Sequence, residues 1–178
     1  MNEYKYILID IDTQNDFLNP KGTLYLPGSE QIIPNLKKLF TWAKEKNIPV
    51  ISTVDSHIPD DPEFKEFPPH CVVGTWGHRK IPAALLDDFH VSKIGEKLDE
   101  NILDRYQQVI FQKQTYNIFS NFFNGGAGIQ SLFLRPEGSH LDRPVKSRLV
   151  WDTVCRTMTI FKDSVTVQVF LLFCHCEE

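Results

Sequence analysis

The sequence predicts an α/β fold, a parallel β-sheet flanked by helices. Three observations carry that expectation. Short β-branched runs alternate with helix-like stretches through the first two-thirds of the chain, the connections between them are short, and each run is followed by a charged residue.

The elements follow in order. Tyr6-Ile-Leu-Ile-Asp-Ile11 is strand-like. Ser29 and Glu30 open a helix whose apolar Ile32, Ile33, Leu36, Leu39, Phe40 and Ala43 share one face, ending near Asn47. Pro49 to Val54 is a β-branched run and reads as a buried second strand. A polar loop rich in proline and aspartate then runs from Ser56 to the neighbourhood of Pro82, and loops of this length in a compact domain are often functional. Leu98 to Tyr106 is helix-like, and Gln108-Val-Ile-Phe-Gln112 reads as a third strand. Beyond Asn124 the chain changes character, with several breakers and no clear helical face. Val165 to Phe173 is a candidate fourth strand. Three strands and a candidate make a thin sheet, which leaves open a fold incomplete at its C-terminus.

Composition bounds the class. With 178 residues and 42% hydrophobic content, a single domain over residues 1–178 with a sizeable core is expected. A net charge of -4 and a pI near 5.9 give no support for a nucleic-acid or membrane-surface partner. Met1-Asn-Glu-Tyr-Lys leads directly into the first strand without a signal-peptide pattern. Val165–Phe173, the longest apolar run, is too short to cross a bilayer. The four cysteines, Cys71, Cys155, Cys174 and Cys176, have neither zinc-finger nor secreted-scaffold spacing, so reduced thiols in a cytoplasmic setting are expected. Homo-oligomerisation is left open.

Chemistry concentrates after the second strand, where Asp55-Ser56-His57 is followed by His70. Two imidazoles and a carboxylate suit a divalent metal of borderline softness. The competing reading is a turn capped by Asp55 with surface histidines. Asp12 follows the first strand, Asp55 the second and Lys113 the third. In a parallel sheet all three emerge at the carboxyl edge, where open α/β sheets place ligands.

These segments together resemble a family. Ile9-Asp-Ile-Asp12-Thr-Gln14-Asn-Asp16-Phe17 resembles the D-x-Q-x-D-F opening of the isochorismatase-like cysteine hydrolases. Thr53-Val-Asp55-Ser-His57 and Phe67-Pro-Pro-His70-Cys-Val-Val-Gly74-Thr75-Trp-Gly77 are similar to metal-binding segments of the nicotinamidase branch. Gln112-Lys113-Gln-Thr-Tyr-Asn-Ile-Phe119-Ser-Asn121 resembles the segment that carries the branch's catalytic lysine. The likeness runs from about Tyr6 to Asn121, in register. It implies a three-layer isochorismatase-like fold and hydrolysis of nicotinamide to nicotinate and ammonia, with pyrazinamide as a second substrate of many members. It implies Asp12 as the proton carrier, Lys113 as the charge that favours thiolate, and Asp55, His57 and His70 as metal ligands. Glu63 falls where some members supply a fourth ligand, and Phe17 and Phe67 match aromatics that flank the substrate ring. Core packing is the competing role for both phenylalanines. Zinc is the first expectation for the metal, with iron or manganese as alternatives.

The nucleophile departs from the family. Its cysteine normally ends a G-V-A-T-D-x-C motif of small residues, and this chain has no such motif. Cys155, after strand-like Leu149-Val-Trp151, is the candidate, in a setting that lacks the glycine and alanine. Those small residues shape the turn that aims backbone N–H groups at the oxyanion. Cys71 reads as a packing residue. The loss of pattern near Asn124 is abrupt, so residues 125–178 are expected to be a divergent tail or one altered by a change of reading frame. Two alternatives to the nicotinamidase reading stand: a catalytically impaired metal-binding remnant, and an isochorismatase-type small-molecule hydrolase. The latter relatives generally lack counterparts of Asp55, His57 and His70.

Overall fold

Apolar β-branched runs become the strands, as their composition dictates. The computed structural model of the chain describes residues 6–99, 101–115, 160–162 and 165–173. Strand β1 (Tyr6–Ile11) pairs in parallel with β2 (Val50–Asp55), and β2 in parallel with β4 (Gln108–Lys113). A further parallel strand, β3 (Phe89–Ser92), lies outside β4. On the other side of β1 runs β6 (Val165–Phe173), antiparallel, followed by β5 (Ile160–Lys162). The sheet order is β3-β4-β2-β1-β6-β5.

Successive strand residues face opposite sides, and two cores result. After β1 the chain makes a single helical turn, α1 (Asn15–Leu18), and on that side of the sheet Leu8 and Val50 pack with Leu36, Phe40 and Ala43 of helix α2 (Ile33–Glu45). On the other, Ile7, Ile51, Val109 and Phe111 pack with Leu98 and with Ile102 of the single turn α3 (Ile102–Arg105). The expected α/β architecture forms in the four parallel strands β3-β4-β2-β1, with α2 on one face and α3 on the other. Helix α2 ends where Asn47 takes a left-handed conformation (φ 52°). The Ile48 amide then donates to the Ala43 carbonyl (2.8 Å) and the Asn47 amide to that of Lys44 (3.3 Å), the paired bonds of a Schellman stop.

The structure differs from the sequence expectation in four places. The helix expected from Ser29 opens as a 3₁₀ turn, Ser29–Ile32, and becomes α-helical only at Ile33. The helix expected over Leu98–Tyr106 shrinks to α3, because Asp99 turns the chain. Its carboxylate accepts from the Asn101 amide and its carbonyl from the Ile102 amide, each at 3.0 Å. Strand β3 was not expected, since its short Phe-His-Val-Ser run exposes two of its apolar residues. Finally, Val165–Phe173 is a strand but runs against β1, with Phe173 opposite Tyr6 and Gln168 opposite Ile11. Its C-terminal end therefore lies at the sheet edge away from Asp12. Among the described residues no helix is long and apolar enough to cross a membrane.

Candidate functional site

Three strands deliver the central group. Asp55 and Lys113 end β2 and β4 in direct register, so their side chains share a face, and the two are ion-paired. Lys113 Nζ also lies 2.8 Å from Asp12 Oδ2. Strand alternation alone would put Asp12 on the same face as Asp10. Asp12 instead adopts a left-handed backbone (φ 54°), and its carboxylate reaches the face of Thr53. There Thr53 Oγ1 donates to Asp12 Oδ1 (2.6 Å), while the Asp12 amide reaches Thr53 Oγ1 (3.2 Å) and the Thr53 carbonyl (3.3 Å). Such a conformation costs a non-glycine residue on the order of 1–3 kcal/mol and persists only where surrounding contacts over-determine it.

Two carboxylates on one buried ammonium leave excess negative charge, and the titration behaviour follows. Burial, and next the Asp12 carboxylate, push the Asp55 carboxyl up to about 7 against the pull of Lys113. Burial works against the Lys113 ammonium, but Asp12 and Asp55 override it and hold Lys113 above the usual lysine range.

The long loop brings two imidazoles to this group. The His57 amide donates to the Cys71 carbonyl (3.1 Å) and the Val73 amide to the His57 carbonyl (3.0 Å), lacing the two histidine segments together. His57 Nδ1 lies 3.0 Å from Asp61 Oδ2, and His70 Nδ1 lies 2.9 Å from the Pro68 carbonyl. A carbonyl only accepts, so Nδ1 of His70 carries the proton, and the Asp61 carboxylate assigns the same tautomer to His57. Both Nε2 lone pairs are thereby left free to face inward. His57 Nε2 is buried with no hydrogen-bond partner. Burial holds His70 below the usual histidine range, consistent with a neutral ring.

Asp55, His57 and His70 offer ligand atoms that all lie within 4.8 Å of one another. Glu63, on the 3₁₀ turn Pro62–Lys65, places Oε2 at 3.9 Å from His57 Nε2 and Oε1 at 4.0 Å from His70 Nε2. Two imidazoles, one of them with its Nε2 orphaned, and carboxylates are a donor set that could hold a divalent ion of borderline softness.

Aromatic rings wall the group. Phe17 packs tilted on His70 at 5.8 Å between centroids, and Phe67 meets it nearly edge-on at 6.4 Å. Phe64 touches both imidazoles, at 5.4 Å from His57 and 5.7 Å from His70.

The structure thus brings together Asp12, Lys113, Asp55, His57, His70, Glu63, Phe17 and Phe67. Cys155 lies outside the described residues, as do Cys174, Cys176 and the whole of residues 116–159. Cys71 is fully buried, and its amide donates to Asp16 Oδ2 (2.7 Å). Burial and the carboxylates of Asp55, Asp16 and Asp12 push its thiol far above the ordinary range, which suits packing and not nucleophilic attack.

Several contributors were not singled out from sequence. Asp61 orients His57 with one oxygen and caps the Glu63 amide with the other (3.0 Å). Its position four residues after His57 was the available signal. Gln14 clamps Asp55, accepting its amide (2.8 Å) and donating to its carbonyl (2.9 Å). Asp16 accepts from Thr23 and Cys71 and lies against Gly77, where a Cβ would come within 2.0 Å of Asp16 Oδ2. Gln14 and Asp16 sat in the D-x-Q-x-D-F string, but nothing local announced their partners.

With this geometry in place, the relatives can be stated. The chain belongs to the isochorismatase domain family, which it matches over residues 6–122. Within that family the similarity runs to a nicotinamidase: Nicotinamidase 1 of Arabidopsis thaliana is 33% identical over 81 residues, 43% of this chain and 33% of that protein. An isochorismatase-like hydrolase from Alkaliphilus metalliredigens superposes with TM-score 0.49 at 32% identity, covering 64% of this chain and 53% of that one. A nicotinamidase/pyrazinamidase from Bacillus subtilis gives 0.48 at 27% identity, covering 64% and 58%. The chain spans about a third of the length of the curated relative and just over half of these two solved chains.

Proposed function

We propose that this chain is an amide hydrolase of the nicotinamidase type, converting nicotinamide to nicotinate and ammonia. The observation that carries the reading is the Asp12–Lys113–Asp55 group at the sheet edge, beside two imidazoles whose Nε2 atoms face inward. Membership of the isochorismatase domain family and the similarity to a plant nicotinamidase support it.

Each residue has a task. Asp12 takes the proton from the attacking thiol and returns it to the departing amine. Lys113, held against Asp12, favours the thiolate and the charge that develops beside it. The thiolate, assigned to Cys155, attacks the amide carbonyl; ammonia leaves with the proton, and water then cleaves the thioester to release nicotinate. Asp55, His57 and His70, with Glu63, hold a divalent ion, zinc first and iron or manganese as alternatives. That ion, when bound, supplies a Lewis acid for the pyridine nitrogen. Phe17 and Phe67 flank the ring. The setting is cytoplasmic, where thiols stay reduced.

The test is ammonia release from nicotinamide by the purified full chain, with Asp12→Asn and Cys155→Ser beside it. Turnover abolished by both variants is the expected result. Turnover that survives Cys155→Ser would overturn the nucleophile. The second reading is an impaired remnant, favoured by the missing small-residue motif around Cys155; metal bound stoichiometrically without ammonia release would select it.

A further inference from the structure

A second buried lysine lies on the opposite face of the sheet and has no part in the chemistry above. Lys80 Nζ is 2.6 Å from Asp10 Oδ2 and donates to Thr13 Oγ1 (2.7 Å) and toward the Thr53 carbonyl (3.5 Å). Thr13 Oγ1 in turn donates to Asp10 Oδ2 (3.2 Å), as does Ser52 Oγ (2.9 Å). Ser52 and Thr53 are consecutive in β2, so their side chains leave opposite faces. Ser52 marks the face of the Asp10–Lys80 pair, and Thr53 marks the face of Asp12 and Lys113.

The two faces meet at the strained turn. Asp12, with its positive φ, is the residue between Ile11 and Thr13, and the Gln14 amide closes back on the Asp12 carbonyl (2.8 Å). Lys80 grips this turn twice. Its backbone bridges Gln14 in antiparallel fashion, flanked by bonds from the Asn15 amide to the Arg79 carbonyl (2.9 Å) and from the Ile81 amide to the Thr13 carbonyl (3.0 Å). Its ammonium holds the Thr13 hydroxyl and approaches the same Thr53 carbonyl that receives the Asp12 amide. An isolated left-handed aspartate would relax, swinging its carboxylate back to the face of Asp10, where a like charge already sits.

We propose that Lys80, paired with Asp10, is a positioning residue for Asp12: it locks the turn that carries the Asp12 carboxylate through to Lys113. The proposal rests on the nicotinamidase reading for its consequence in turnover, though not for its geometry. The role is indirect, since Lys80 touches neither substrate nor the reacting atoms.

Exchange of the whole pair separates positioning from mere stability, because a buried ion pair replaced by apolar residues of similar size is often neutral or stabilising. The full-length double variant Asp10→Leu/Lys80→Met is compared with wild type in thermal unfolding, in nicotinamide kinetics and by crystallography. Expected is a folded protein with KM within about twofold and kcat lower on the order of 10²-fold, the cost of a misplaced catalytic group. Its crystal structure is expected to have Asp12 at negative φ and away from Lys113. A folded double variant with wild-type kcat and Asp12 still on Lys113 overturns the proposal. If wild type releases no ammonia, the functional reading has failed, and the position of Asp12 in the double variant decides the inference alone. Should the double variant not fold, Thr13→Val takes its place: it cuts the hydroxyl link and leaves the ion pair intact. A fall in kcat at constant KM, or a displaced Asp12 in its crystal structure, supports the role; neither change refutes it.

Discussion

Lys113 and Lys80 are both buried ammonium groups within reach of carboxylates at the end of β1, yet they live in opposite electrostatic circumstances. Lys80 meets one carboxylate, a hydroxyl and a carbonyl, so charge is balanced one to one. Lys113 meets two carboxylates, Asp12 and Asp55, and beyond them the imidazoles of His57 and His70. A balanced pair can be sealed under a sheet indefinitely. A group with surplus negative charge is costly to bury and is completed by a proton or by a bound cation. Burial and that surplus raise the Asp55 carboxyl, and the same surplus is what a bound cation would neutralise. The sealed pair shapes the backbone; the unbalanced one is available for chemistry.

The sharpest way to break this contrast is to remove the central cation. Lys113→Met leaves Asp12 and Asp55 facing each other without a counter-charge. Ammonia release is expected to fall by about 10²–10⁴-fold, the usual worth of a positioned acid–base group. A loss below tenfold would place the chemistry elsewhere.

The cation-binding half can be graded. His57→Ala removes a proposed nitrogen ligand, so metal content by elemental analysis is expected to drop well below one ion per chain. Asp61→Ala removes only the partner that orients that ring, and metal affinity by calorimetric titration is expected to weaken about 10–100-fold. Equal metal content in wild type and His57→Ala would remove His57 from the ligand set.

Acidity distinguishes the two lysine centres next. Asp55 moves from an unfolded value of 3.8 to about 7 in the folded chain. A group raised on folding contributes stability that is full below the unfolded value and lost as pH climbs through the folded one. In metal-free protein the contribution of Asp55 therefore fades between about pH 4 and pH 7. Denaturant unfolding with chelator present should show wild type losing stability across that window relative to Asp55→Asn. Parallel curves for the two proteins would contradict the surplus-charge picture.

The smallest effect lies in the sealed pair. Ser52→Ala removes one of three donors converging on Asp10 Oδ2. The same hydroxyl accepts from Gln108 Nε2 (2.8 Å), so about 2 kcal/mol of stability is expected to be lost in denaturant unfolding, the net worth of two hydrogen bonds. A loss of several kcal/mol would mean that the pair depends on every one of its donors.

Much of this arrangement was legible beforehand. Strands β1, β2 and β4 announce themselves as β-branched apolar runs, and parallel pairing then obliges Asp12, Asp55 and Lys113 to share an edge. His57 and His70 stood out beside Asp55, but their pattern alone also fitted a capped turn with surface histidines, and it was the family resemblance that singled them out. Asp61, Gln14 and Thr53 were not, because each acts through a partner distant in sequence or through a geometry that only folding supplies. Strand β3 was missed because a short, partly exposed edge strand carries little apolar signal. The direction of β6 was not legible at all, since an alternating run has the same composition read either way.

By itself the sequence determined an α/β chain with a parallel sheet, and it determined which charged groups end the strands. Both are local properties: periodicity of burial, and the residue that follows each apolar run. Tertiary structure alone decided that Asp12 would cross to the Lys113 face through a left-handed turn, and that Lys80 would reach Thr13 and Asp10 from a segment far along the chain. The physical reason is that backbone strain and buried charge are settled by the sum of contacts around them. Those contacts join residues far apart in the chain, 41 positions for Thr53 and Asp12 and 67 for Lys80 and Thr13, a separation that no local pattern records.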